Sequence, residues 1–171
     1  VLRLMHRRYD TAHFRNKIEY IKEMMPDAFI GVDVMVGCRG ETEDCFEECY
    51  NFINSLDVQQ LHVFPYSERP GTQALNIPHI VADKDRKERS QRLIQLSEEK
   101  FEAFYSQHIG CEMEVLVERA QRNKPMTGFT PNYIRVELPA DMSHEEYDNH
   151  ILRVRLGEFN DERNALKGEL L

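Results

Sequence analysis

Thiols and a glycine-bearing loop are the first features of this sequence that could carry chemistry. Cys45 and Cys49 stand four residues apart where apolar residues recur at helical spacing, so a helix would present both thiols on one face. A zinc or iron–sulfur site wants three or four ligands, and no His or further Cys stands at ligand spacing from this pair. Cys49 also falls on the apolar stripe, where a thiol serves as a small core residue. Cys38 follows an apolar strand, in the kind of loop where active sites gather, but it has no neighbouring base. Cys111 stands alone at a strand start. In the loop Gly37-Cys38-Arg39-Gly40-Glu41-Thr42, two glycines let the backbone approach a ligand, and the following helix start offers N–H donors. That would suit an adenosyl or carboxylate group; the alternative is a plain strand-to-helix turn. Tyr66 to Thr72 has the same ambiguity, with Pro70 and Gly71 at the central positions of a β-turn. Arg7 and Arg8, beside Tyr9, can hold a carboxylate or phosphate, or be solvated. None of these decides a reaction alone.

The elements that must position them are legible. Asp10 or Thr11 can cap a helix in which Phe14, Ile18, Ile21 and Met25 recur, stopped by Pro26-Asp27. Ala28 to Val36 is a short run rich in β-branched residues and reads as a strand buried on both faces, as in a parallel sheet. Thr42 is the candidate N-cap of a helix whose stripe is Phe46, Cys49, Tyr50, Phe52, Ile53 and Leu56. A second strand is expected at Gln60 to Pro65. Helix, strand, helix and strand at this spacing predict βα units and a parallel sheet. Two parallel strands make no stable sheet alone, and the chain opens Val1-Leu2-Arg3 without an initiator Met. It therefore reads as a piece of a longer protein. Asp83 to Gln107 is a long polar helix whose basic start could meet RNA or simply be solvated.

Past Ile109-Gly110 the pattern changes. Met113 to Glu118 alternates as a strand, and short β-like segments follow at Met126 to Thr130, Tyr133 to Leu138, His150 to Leu156 and Asn164 to Leu170. This predicts a small antiparallel barrel of the OB type, with Ala140 to Asn149 as an acidic exposed loop. Arg135 alternates with Ile134 and Val136, and Arg153 and Arg155 flank Val154, so each set faces outward. With Lys124, Arg119 and Arg122 they supply positive charge, and Phe129 and Tyr133 are candidate stacking platforms.

Composition bounds these readings. The 171 residues carry 41% hydrophobic and 30% charged side chains, enough for a buried core. A net charge of −8 argues against nucleic-acid binding through bulk charge, though not against a local basic patch. From Cys111 onward twelve acidic residues stand against eight basic ones. No run of 18 apolar residues and no charged-then-apolar leader is present, so neither a membrane span nor a signal peptide is expected. The four cysteines read as thiols of a cytoplasmic protein rather than as disulfides.

In order along the chain, four pieces resemble the C-terminal half of a radical S-adenosylmethionine methylthiotransferase. They are Leu4 to Tyr9, Val32 to Thr42, Phe64 to Thr72 and Thr127 to Val136. The last is most similar to the branch that modifies N6-threonylcarbamoyladenosine beside the tRNA anticodon. Cys38-Arg39 departs from the Phe-Pro usual between the two glycines of this family.

The resemblance implies an α/β part followed by an all-β part. Residues 1–82 would be the C-terminal βα units of a partial (β/α)6 radical S-adenosylmethionine barrel and 83–107 a connecting helix. Residues 108–171 would be a five-stranded, OB-like TRAM barrel that contacts tRNA. Val34, Val36, Gly37 and Gly40 would run past S-adenosylmethionine, Val63 and Phe64 would close its pocket, and Arg8 is a looser contact. Tyr133, Arg135, Arg153, Arg155 and Lys124 are the RNA-binding candidates. The family carries two [4Fe–4S] clusters on cysteine motifs outside this sequence. No metal ligand and no catalytic residue is therefore expected here, and the chain alone would be inactive. Two other readings are a sister methylthiotransferase acting on a ribosomal-protein aspartate and a non-enzymatic RNA-binding module.

Overall fold

The computed structural model describes residues 1–118, 125–139 and 144–171, without the side chains of His144 and Glu145. The chain divides into two compact units, Val1–Phe101 and Glu102–Leu171.

The first unit is built on two parallel strands, β1 (Gly31–Val36) and β2 (Gln60–Pro65), paired in register from Gly31 with Gln60 to Val36 with Pro65. Helix α1 (Thr11–Met24) is capped by Asp10, whose carboxylate accepts the His13 N–H at 2.8 Å. Helix α2 (Glu43–Asn54) is capped by the Thr42 hydroxyl, which accepts the Cys45 N–H at 3.3 Å. A 3-10 turn at Gln73–Asn76 leads to α3 (Asp83–Gln107). Ile18, Val34, Val36, Phe46, Ile53, Leu61, Leu93 and Leu96 form one core, so all three helices contribute to the same side of the sheet. The other side is open: Gly31, Asp33, Met35, His62 and Phe64 are exposed. The strand expected to be buried on both faces is thus buried on one, alternating with period two. Cys49, read as a core thiol, is exposed; the α2 stripe is narrower than its apolar residues suggest.

The second unit closes five strands into a barrel. They are β3 (Glu112–Val117), β4 (Thr127–Phe129), β5 (Arg135–Glu137), β6 (Ile151–Phe159) and β7 (Leu166–Leu170), in the ring order β3-β4-β5-β7-β6. Four ladders are antiparallel, whereas β5 and β7 run parallel, with Val136 opposite Leu166. The all-antiparallel expectation is corrected here. Directions cannot alternate all the way round a ring of five, so one pair must run parallel. Val115, Val117, Ile134, Val136, Val154, Leu156 and Leu166 fill the interior. Within the stretch read as an acidic loop, His144–Tyr147 forms a short helix, α4. Closure removes the free edges that would invite aggregation.

Candidate functional site

The carboxyl ends of β1 and β2 form one rim, where Tyr66 donates its backbone N–H to the Val36 carbonyl at 2.8 Å. In sheets of this kind ligands gather at that rim. The loop after β1 has Gly37 and Gly40 in the left-handed region, at φ 77° and 81°. Gly37 N–H donates to both oxygens of the Glu41 carboxylate at 3.0 Å. Glu41 is buried and also accepts from Arg89 Nη1 at 2.7 Å; Arg89 continues to Glu43 at 2.7 Å. Gly40 N–H donates to the His79 carbonyl at 2.9 Å.

Arg39 ties this loop to the next one. Its Nε donates to Glu68 at 2.7 Å and its Nη1 to the Leu75 carbonyl at 2.6 Å. The hydrogen bond from Arg39 holds the Glu68 carboxyl below the usual glutamate range. Beside the rim a cavity of about 800 Å³ is lined by Tyr66, Glu68, Val81, Asp83, Arg86 and Lys87, among others. The Arg86 guanidinium donates to Asp83 and to the Val81 carbonyl, and its buried Nε has no hydrogen-bond partner. Such a rim can hold a ligand with an apolar ring and a charged tail.

The residues expected around the cofactor fall into two groups. Val34, Val36 and Val63 turn their side chains into the helix-covered core, leaving only their backbones toward the open face. Phe64, 51% exposed, lies on the open face opposite Met35, 47% exposed, as an apolar wall. Arg8 is exposed. Its neighbour Arg7 is exposed as well, and its charge draws the Cys38 thiol downward. Burial and Glu41 outweigh that pull and push the thiol up to about 11. A thiol so held is protonated near neutral pH and is no thiolate ligand or nucleophile. Among the described residues no three His, Cys, Asp or Glu converge as metal ligands.

On the barrel, Tyr133 is 69% exposed at φ 64°, with its ring centroid 6.0 Å from that of Phe129. Arg135 follows on β5, half-buried. Arg153 and Arg155 face outward together and share one carboxylate, Glu112, at 3.2 and 2.9 Å. Exposed pairs of this kind hold their partners weakly. Lys124 lies outside the described residues, as do Arg119 and Arg122.

Sequence reasoning read Arg86 and Arg89 only as the basic start of the long helix, open to RNA or solvated, and missed their place at the rim, as it missed His79 there and Tyr105, whose hydroxyl accepts the Arg135 N–H. Arg89 stands 48 residues from Glu41, a separation that no local pattern encodes.

The chain is 36% identical over 140 residues to the threonylcarbamoyladenosine tRNA methylthiotransferase of Bacillus subtilis, covering 80% of this chain and 31% of that protein. It is 35% identical over 172 residues to the tRNA-2-methylthio-N(6)-dimethylallyladenosine synthase of Caldicellulosiruptor saccharolyticus, covering 100% and 36%. The chain belongs to the radical S-adenosylmethionine methylthiotransferase family. The Finegoldia magna synthase of the same name is 30% identical over the full chain. The chain spans about a third of the length of these curated relatives. No protein-family model matches it. Among the described residues no helix is long and apolar enough to cross a membrane.

Proposed function

We propose that this chain forms the C-terminal part of a tRNA methylthiotransferase acting on N6-threonylcarbamoyladenosine. The observation that carries the reading is the 36% identity to a relative named for that substrate. In the longer enzyme, S-adenosylmethionine and two [4Fe–4S] clusters would supply the radical and sulfur chemistry. The residues of this chain bind and orient. Residues 1–82 would contribute βα units to a partial (β/α)6 barrel, 83–107 would connect, and 108–171 would act as a TRAM domain on tRNA.

At the rim, the backbones of Val34, Val36, Gly37 and Gly40 would pass along the adenosyl moiety. Phe64, with Met35 beside it, would give the ring an apolar wall, and Val63 would support that wall from the core. Arg8 is kept as a more distant contact. Because Glu41 already occupies the Gly37 N–H, a ligand carboxylate would have to be met elsewhere, for example by Arg86 at the cavity. On the barrel, Tyr133, Arg135, Arg153 and Arg155 would hold the RNA, the last two by exchanging Glu112 for phosphates. The chain alone would carry no activity, since by the family resemblance the cluster cysteines would lie elsewhere in the longer enzyme.

A second reading is favoured by one observation: relatives matched along the whole chain are named for dimethylallyladenosine. A chimera tests both. This chain would replace the matching third of the Bacillus subtilis relative in a strain lacking that protein. Restored methylthio-threonylcarbamoyladenosine in bulk tRNA is the expected result. Failure in that host, with rescue in the equivalent dimethylallyladenosine background, would assign the second substrate.

A further inference from the structure

The ladder register places four side chains in one row across the barrel. Ile151 on β6 is opposite Leu116 on β3, Leu116 is opposite Phe129 on β4, and Phe129 is opposite Arg135 on β5. Their neighbours Val115, Val117, Gly128 and Val136 point inward and are buried, so the row faces outward. Ile151 is 65% and Leu116 52% exposed, and Tyr133 extends the row beyond Phe129. Phe129 is half-buried between them, and exposed apolar groups gathered in this way mark a contact surface.

Its charges are unlike those of a surface that tracks a phosphate backbone. Glu114 on β3 and Glu118 just past its end, both exposed, bracket Leu116. Arg153 and Arg155 lie on β6 past the end of the row, where the exposed Glu112 holds them only weakly. Arg135, at one end, makes no ion pair among the described residues, and its buried Nε has no hydrogen-bond partner. The platform is also held in place. Tyr133 N–H donates to the Thr130 carbonyl at 3.0 Å, and Arg135 N–H donates to the Tyr105 hydroxyl at 2.9 Å. The Thr130 hydroxyl donates to Asn132 Oδ1 at 2.6 Å. An aromatic fixed in this way loses little freedom on binding.

We propose that Ile151, Leu116, Phe129 and Tyr133 form a platform for unpaired nucleobases of RNA, with Arg135 at its edge meeting one phosphate. This rests on the reading of the chain as a tRNA-modifying protein and names what part of an RNA the barrel takes. Flat, neutral bases match the apolar row, while the acidic bracket around Leu116 turns phosphates away. The second and third strands of OB-type barrels present the face on which oligonucleotides lie.

The test titrates the purified chain with an anticodon stem-loop RNA, an unstructured single strand and a perfect duplex. The Leu116→Thr/Tyr133→Asn variant keeps β-propensity at one site and tolerance of left-handed backbone at the other. Wild type should bind the stem-loop and the single strand about tenfold tighter than the duplex, and the variant should lose about that factor on both while the duplex is unchanged. Equal binding of duplex and single strand, or an unaffected variant, would overturn the platform and leave tRNA recognition to phosphate contacts. No binding of any RNA would overturn the tRNA reading as well, leaving the row as a docking face for protein. Should the double variant melt early, Ile151→Thr on a different strand makes the same comparison.

Discussion

Glu41 and Gly37 close a ring within the loop after β1: both carboxylate oxygens accept the Gly37 N–H at 3.0 Å. The loop thus supplies its own anion at the position where a helix-start loop would otherwise bind one. Arg89 from α3 neutralises that anion, so the loop is fixed before any ligand arrives.

Removing either partner should be costly. Both side chains are more than nine-tenths buried, and Glu41→Ala leaves the Arg89 charge with only the exposed Glu43. Urea unfolding should show a loss of about 3 kcal/mol for Glu41→Ala, and less for Glu41→Ala/Arg89→Met, because the stranded charge is gone. A double variant as unstable as the sum of its singles would show that the two act independently.

Two glycines should resist even a methyl group. A Cβ at Gly37 would meet Arg86 Cγ at 2.5 Å, on a backbone at φ 77° that side chains rarely adopt. One at Gly128 would drive into the Leu116 carbonyl across the β3–β4 ladder. Gly37→Ala should cost about 1–3 kcal/mol from backbone strain and displace Arg86. Gly128→Ala should cost more, because its obstacle is backbone. The order of the two melting temperatures checks this.

Acid should weaken the fold in a defined direction. Hydrogen bonds from Arg92, Arg39 and Arg163 hold the carboxyls of Glu47, Glu68 and Glu102 below the usual range. A depressed carboxylate contributes stability above its unfolded-state pKa, and that contribution is lost as pH falls through the folded-state value. Denaturant midpoints should change little from neutral pH down to about 5 and fall below about 4.3, the unperturbed glutamate value. Arg92→Ala should shrink that fall, and so should added salt, since these pairs are exposed.

Local order was written in local residues. Asp10 and Thr42 cap the helices that the apolar spacing predicts, and Gln60–Pro65 and Asp83–Gln107 begin and end where the sequence places them. What the sequence withheld was pairing. Val32, Val34 and Val36 alternate with Gly31, Asp33 and Met35, a period-two pattern that the β-branched run concealed. The parallel β5–β7 ladder followed from counting strands, because five cannot alternate around a ring. At the rim, Gly37 and Arg39 were legible as loop residues, but their partners Glu41, Arg89 and Glu68 follow only from three-dimensional proximity. The barrel row was half legible: Phe129, Tyr133 and Arg135 stood out by type, whereas Leu116 and Ile151 gained meaning from register.

Thiol reactivity should separate the cysteines. Cys111 and Cys49 are exposed and Cys38 is buried, and desolvation with Glu41 nearby pushes the thiols of both Cys38 and Cys49 up to about 11. A thiol reagent near neutral pH should label Cys111 first in the folded chain, Cys49 more slowly because its thiol is held protonated, and Cys38 only after unfolding. Labelling of Cys38 at the rate of Cys111 would mean that the loop opens readily.

One tRNA modification distinguishes the proposed substrate from its alternatives. Mass spectrometry of nucleosides from tRNA of a strain deleted for the encoding gene should lack methylthio-threonylcarbamoyladenosine and accumulate its unthiolated precursor, with methylthio-dimethylallyladenosine unchanged. Wild-type levels of both methylthio nucleosides in the deletion strain would contradict that substrate assignment.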